Sequence, residues 1–100
     1  MVSGLRVRCV QVALGLMASG QSEQMPALDE IFEELRRDRP TWCVEVGRAA
    51  TTRTIQFRAQ APELDEALQL VKTELERLLR QSSLVSPPNL RWARPRQVTL

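Results

Sequence analysis

Histidine and tyrosine are absent from this chain, lysine occurs once and glycine four times. Without histidine, Ser-His-Asp and Cys-His nucleophilic pairs, histidine-ligated metals and a side-chain switch titrating near neutral pH are excluded by inventory. The two cysteines, Cys9 and Cys43, are too few for a disulfide framework. Each sits in an apolar run where a free thiol behaves as a small hydrophobe, which predicts two buried core thiols and a reducing, cytoplasmic setting. No C-x-x-C pair is present, and no apolar run has the length of a membrane-spanning helix. With aromatics at 4%, any base stacking would have to come from Phe32, Trp42, Phe57 or Trp92.

What is present is the balance of one ordinary globular domain: 100 residues, 43% apolar and 26% charged. A domain this size supports one core and leaves little room for a deep substrate cavity, which excludes the large enzyme folds. Nearly all the basic residues are arginine, a bias that a GC-rich coding sequence accounts for without any chemical demand for guanidinium. Net charge is +2. Residues 1–83 hold slightly more acids than bases, and residues 84–100 contain Arg91, Arg94 and Arg96 with no acid, so an electrostatic argument for an anionic partner points to the tail.

Residues 5–14 are rich in β-branched side chains and alternate Arg6 and Arg8 against Val7 and Cys9, which reads as a strand. From Val10 the apolar positions become Val10, Val12 and Leu14, a slip of phase that implies a bulge near Cys9 or burial on both faces. Residues 15–25 have a loop composition. Pro26 then opens a helix whose Leu28, Ile31, Phe32 and Leu35 form one stripe, with Arg36 and Arg37 in the last turn and Pro40 as its stop. Thr41 to Val46 and Thr52 to Ala59 alternate as two half-buried strands, and the Gly47–Thr51 link between them is too short for a parallel crossover, so they form an antiparallel hairpin. Pro62 opens a second helix, to about Arg80, with Leu64, Leu68, Val71, Leu75, Leu78 and Leu79 on one face. After the Ser86-Pro87-Pro88 break, residues 89–100 are either a fourth edge strand, where Pro95 is tolerated, or a basic arm.

This order, β-α-β-β-α(-β), is that of the ferredoxin-like split-βαβ fold, an α/β (α+β) sandwich with both helices on one face of an antiparallel sheet. The domain spans 1–83, followed by a Pro-rich break and the tail or edge strand, 84–100. The expected core is Val7, Cys9, Leu28, Ile31, Phe32, Leu35, Trp42, Val44, Val46, Ile55, Phe57, Leu64, Leu68, Val71, Leu75 and Leu78. The N-terminus has a second reading. Arg6 and Arg8 ahead of an apolar stretch ending in Ala18-Ser19-Gly20 resemble a secretory signal over residues 1–20, but Gln11 interrupts the stretch and its removal would take away the first strand.

Gly15 to Ser22 matches the phosphate-loop pattern G-x-x-x-x-G-K-[ST] except that Gln21 replaces the lysine, and glutamine cannot supply that positive charge. Asp29, Glu30, Glu33 and Glu34 have a spacing that could hold a hard cation, but they lie opposite the apolar stripe, where solvent-facing carboxylates are expected. No catalytic, metal or cofactor-binding set emerges, and no small-molecule substrate is evident.

The sheet face away from the helices is expected to show Arg6, Arg8, Glu45, Thr54, Gln56 and Arg58, with Arg48 and Arg53 at the hairpin tip. The reading is a non-enzymatic protein-interaction or assembly domain, self-association included, in which Trp92 anchors and Arg91, Arg94 and Arg96 supply rim charges. The alternative is binding of RNA or single-stranded nucleic acid, with Arg6, Arg8, Arg58 and the tail arginines tracking phosphates. Its weakness is that Trp42 and Phe57 point inward, away from any base.

Overall fold

The computed structural model describes residues 9–82, 84 and 86–98. Val10–Ser19 forms strand β1, Met25–Asp38 helix α1, Glu45–Arg48 strand β2, Thr52–Ala61 strand β3 and Leu64–Gln81 helix α2. Two short strands follow, β4 at Asn89–Trp92 and β5 at Arg96–Val98. The sheet is antiparallel in the order β2-β3-β1-β4, and β5 continues the β4 side of β1. With both helices on one face this is the split-βαβ arrangement of the ferredoxin-like fold.

The helices form where apolar side chains recur at helical spacing. Met25, Leu28, Ile31, Phe32 and Leu35 are buried on α1, and Ala67, Val71, Leu75 and Leu78 on α2. Leu64, Leu68 and Leu79 pack half-buried against the same core. Each large side chain so placed contributes about 1.5–3 kcal/mol of transfer free energy. Arg39 and Arg77 both donate to Glu74, which ties the end of α1 to α2, and the Arg77 contact in particular holds the Glu74 carboxyl below its ordinary range. Among the described residues no helix is long and apolar enough to cross a membrane.

β1 departs most from the sequence reading. It runs from Val10 to Ser19, through the segment expected to be a loop, and Val12, Leu14, Leu16 and Ala18 all face the helices. Those four take the core positions that the alternation with Arg6 and Arg8 assigned, on the first strand, to Val7 and Cys9. Cys9 precedes the strand and is exposed, and Val7 lies outside the described residues. β1 is the central strand, paired along its length with β3 on one side and with β4 and β5 on the other. Ladder hydrogen bonds on both edges override the weak strand preference of Gly15 and Ser19.

The second correction concerns residues 41–44. Pro40–Trp42 is a single 3-10 turn and Cys43 is left-handed, at φ 50°, so β2 begins only at Glu45. The turn leaves Trp42 and Val44 buried, as their alternation implied, and turns Cys43 out to solvent rather than into the core. β2 then extends through Gly47 and Arg48, and the hairpin closes over residues 49–51.

Between β4 and β5 lies a bulge. Leu16 pairs with Trp92 and Ala13 with Arg96, so Leu14 and Gly15 stand opposite three residues, Ala93, Arg94 and Pro95. Pro95 cannot donate to a ladder, and the extra residue absorbs it. The bulge closes against Gly15: the Ala93 amide donates to the Gly15 carbonyl at 2.9 Å, and a Cβ on Gly15 would stand 3.3 Å from the Ala93 methyl. Gly15→Val is therefore expected to cost about 1–3 kcal/mol by forcing the bulge off β1. Urea unfolding checks this, and a variant as stable as the parent would show that the contact yields freely.

Candidate functional site

Alternation along β1 and β3 decides what the uncovered face of the sheet displays. Gln11, Ala13, Gly15, Met17 and Ser19 of β1 point away from the helices, beside their β3 partners Gln60, Arg58, Gln56, Thr54 and Thr52. Glu45 faces the same way from β2, opposite Gln56. On the other flank Arg91 lies beside Met17, and Arg96 and Val98 beside Ala13 and Gln11. The bulge makes this possible. In an unbroken strand Arg96 would share the face of Trp92, and the extra residue turns it to the face of Arg91.

These arginines differ from the others in their partners. Arg36, Arg39, Arg48, Arg53, Arg77 and Arg80 each lie within 4.0 Å of a carboxylate. Arg58, Arg91, Arg94 and Arg96 are exposed and have no carboxylate partner among the described residues; Arg37, on α1, is the other such arginine. Glu45 is the one acid on this face among the described residues. The helical layer has the opposite balance, with five acids against two arginines on α1 and four acids against three bases on α2.

Two depressions run over the small residues of β1. One, of about 570 Å³, is lined by Ala13, Glu45, Gln56, Arg58 and Arg96 among others, and the second, of about 330 Å³, by Gly15, Met17, Gln56 and Arg91. Ala13 and Gly15 leave the central strand without long side chains, so the flanking arginines and glutamines stand as walls of a shallow trough. Met17, 45% exposed, is its apolar end.

Of the residues singled out in the sequence, Arg58, Arg91 and Arg96 share this face, whereas Arg94, exposed in the bulge, lines neither depression. Trp92 does not join them. It is half-buried on the helix side, stacked on Phe57 with ring centroids 6.1 Å apart and with the Lys72 ammonium 6.0 Å from its ring. Residues 89–92 and 96–98 are thus edge strands rather than an arm. Arg6 and Arg8 lie outside the described residues. Gly15 to Ser19, the first part of the phosphate-loop match, is extended strand and cannot curl around a phosphate.

Sequence reasoning missed one polar contact. Arg53, expected at the exposed hairpin tip, is buried, and donates from Nε and Nη2 to the two carboxylate oxygens of Asp29 at 2.6 and 3.1 Å. Its Nη1 also donates to the Ala49 and Thr52 carbonyls. Asp29 is thereby removed from the row of solvent-facing acids, and the Arg53 hydrogen bond holds its carboxyl below the ordinary range. The pair joins α1 to the β2–β3 hairpin. Among the described residues no group of three or more acids or cysteines is placed to hold a metal ion.

Compared with protein-family models, with curated proteins and with solved structures, the chain matches none.

Proposed function

We propose that this is a small non-enzymatic interaction domain that holds an acidic protein partner against its uncovered sheet face. The observation that carries the reading is the set of exposed, unpartnered arginines, Arg58, Arg91 and Arg96, around a trough floored by Ala13 and Gly15. Cations of this kind favour acidic surfaces in encounter and in register. Phe57 and Trp92 border the depressions but turn their rings to the helix side, so bases would find no stacking platform on the face, which favours a polypeptide over a polynucleotide. Self-association through this face would bring arginines together and is disfavoured on the same ground.

The test is a titration of ¹⁵N-labelled protein with a glutamate oligomer and with oligouridine, at low and at physiological ionic strength. The glutamate oligomer is expected to shift the amides of β1, β3, β4 and β5. The triple variant Arg58→Gln/Arg91→Gln/Arg96→Gln is expected to lose the response while remaining folded, since all three side chains are exposed. Shifts confined to the helices would overturn the reading. Tighter binding of oligouridine with a steep salt dependence would replace it with the nucleic-acid alternative.

A further inference from the structure

Within the trough one row of residues stands apart. Ala13 is the direct cross-strand partner of Arg58 on β3 and of Arg96 on β5, and all three side chains rise from the same face. Two arginines thus flank a single methyl group, with their Cα atoms about 10 Å apart, or two strand spacings. Their stems are long enough for the guanidinium groups to converge above it. Neither has a carboxylate within 4.0 Å among the described residues, and both line the 570 Å³ depression.

We propose that the Arg58–Ala13–Arg96 row is a recognition site for a phosphomonoester, carried on a phosphorylated serine or threonine of the partner. The inference rests on the reading of the sheet face as the contact surface and names the group it recognises. Three considerations select this chemistry. Two cations without carboxylate partners add their positive potential over one methyl group, so an anion placed between them is attracted by both. Each guanidinium offers five N–H donors in a planar fork, which suits the three acceptor oxygens and nearly double charge of a phosphomonoester better than a singly charged carboxylate or phosphodiester. Ala13 supplies the space, since any longer side chain would occupy the gap between the arginines.

Glu45 shapes the site from its rim. It sits on β2, opposite Gln56 and beyond Arg58, and lines the same depression. Its charge repels a second anionic group on that side and confines the phosphate to the Ala13 side of Arg58. Glu45→Gln therefore tightens phosphate binding and relaxes its position. Among the described residues no aromatic ring is presented on this face, since Phe57 and Trp92 stack on each other on the helix side, and this favours a phosphate carried on a polypeptide over one in a nucleotide chain.

The experiment is a ¹⁵N-detected titration with N-acetyl-O-phosphoserine N-methylamide, alongside dimethyl phosphate and N-acetylglutamate N-methylamide at matched ionic strength. The phosphoserine probe is expected to give saturable shifts at the Ala13, Arg58 and Arg96 amides, at an affinity about tenfold above either control. Arg58→Gln and Arg96→Gln are each expected to remove about tenfold of that affinity, whereas Arg37→Gln, on the helical layer, leaves it unchanged. Equal, unsaturated responses to all three probes would overturn the phosphate site. If the glutamate oligomer still bound the face, only this proposal would fail; loss of both responses would remove the interaction reading as well. Displacement of the phosphoserine probe by oligouridine, at higher affinity and with steep salt dependence, would overturn the assignment to a polypeptide.

Discussion

Val71→Asp is expected to abolish the cooperative unfolding transition of the domain. Val71 is fully buried at the middle of the α2 stripe, between Ala67 and Leu75, and faces the sheet formed by β1 and β3. The substitution forfeits the transfer free energy of the valine, about 1.5–3 kcal/mol, and places a carboxyl group among the buried apolar side chains of the core. The group must then be buried as an unpaired charge or neutralised by a proton. Either course adds to the loss, and a total above about 4 kcal/mol is comparable with the whole stability of a chain this size. Circular dichroism on heating measures it: a sloping signal without a midpoint is the expected result. Glu33→Gln is the matched control. Glu33 is exposed, its contact with Arg36 is a loose 3.8 Å, and the expected change is within about 0.5 kcal/mol. A Val71→Asp protein melting like the parent would mean that this stripe does not face the core.

The helices and β3 were legible because each carries a single period without interruption. Leu64, Leu68, Val71, Leu75 and Leu78 can share one helical face and no strand face, and Ile55, Phe57 and Ala59 alternate cleanly with Thr54, Gln56 and Arg58. β1 was harder because a central strand is selected by its two partners more than by its own residues. Gly15 lowers strand propensity yet is the residue that lets the Ala93 bulge approach. The phase slip at Val10 did signal the pattern: Val10, Val12 and Leu14 continue to Leu16 and Ala18, and Met17 and Ser19 alternate against them. Trp42 and Val44 were correctly placed inward for a reason that does not need a strand, since a 3-10 turn with a left-handed Cys43 also buries both.

For the candidate site, the sequence held the cations but not their grouping. Arg91 and Arg96 differ in parity, so simple alternation puts them on opposite faces. Pro95 was the signal that a bulge intervenes, and the bulge returns them to one face. Trp92 had the opposite fate: its position among arginines suggested an exposed anchor, while its register with Leu16 turns it toward Phe57. Arg53 was also readable. It shares the parity of Ile55, Phe57 and Ala59, and a charged residue in phase with a buried stripe calls for a buried partner of opposite sign, which is Asp29.

Removing that partner is expected to have the second-largest effect. The Arg53 side chain is only 8% exposed, and Asp29→Asn takes away the charge that both Nε and Nη2 address. Arg48, 3.7 Å from Asp29, cannot compensate, because it is itself a cation. The Ala49 and Thr52 carbonyls keep Nη1 satisfied, so the loss is expected to be about 2 kcal/mol, short of that for a wholly uncompensated buried charge. It should exceed any change on neutralising Glu76, whose partner Arg80 is largely exposed. The dependence on pH has a definite sign. The Arg53 hydrogen bond, with the nearby Arg48 charge, lowers the Asp29 carboxyl in the folded state, so on acidification the unfolded chain takes up its proton first. The stabilisation is therefore complete above the ordinary carboxylate value of about 3.9 and is lost as pH falls through the lowered folded value. Glu74 is lowered likewise by Arg77 and titrates in both proteins, so the difference in unfolding free energy between parent and Asp29→Asn isolates the one group. That difference should be constant above about pH 5 and shrink on the acid side. A difference that held its full size down to the acid limit of folding would show that Asp29 acts through its shape and hydrogen bonds, with its charge contributing nothing.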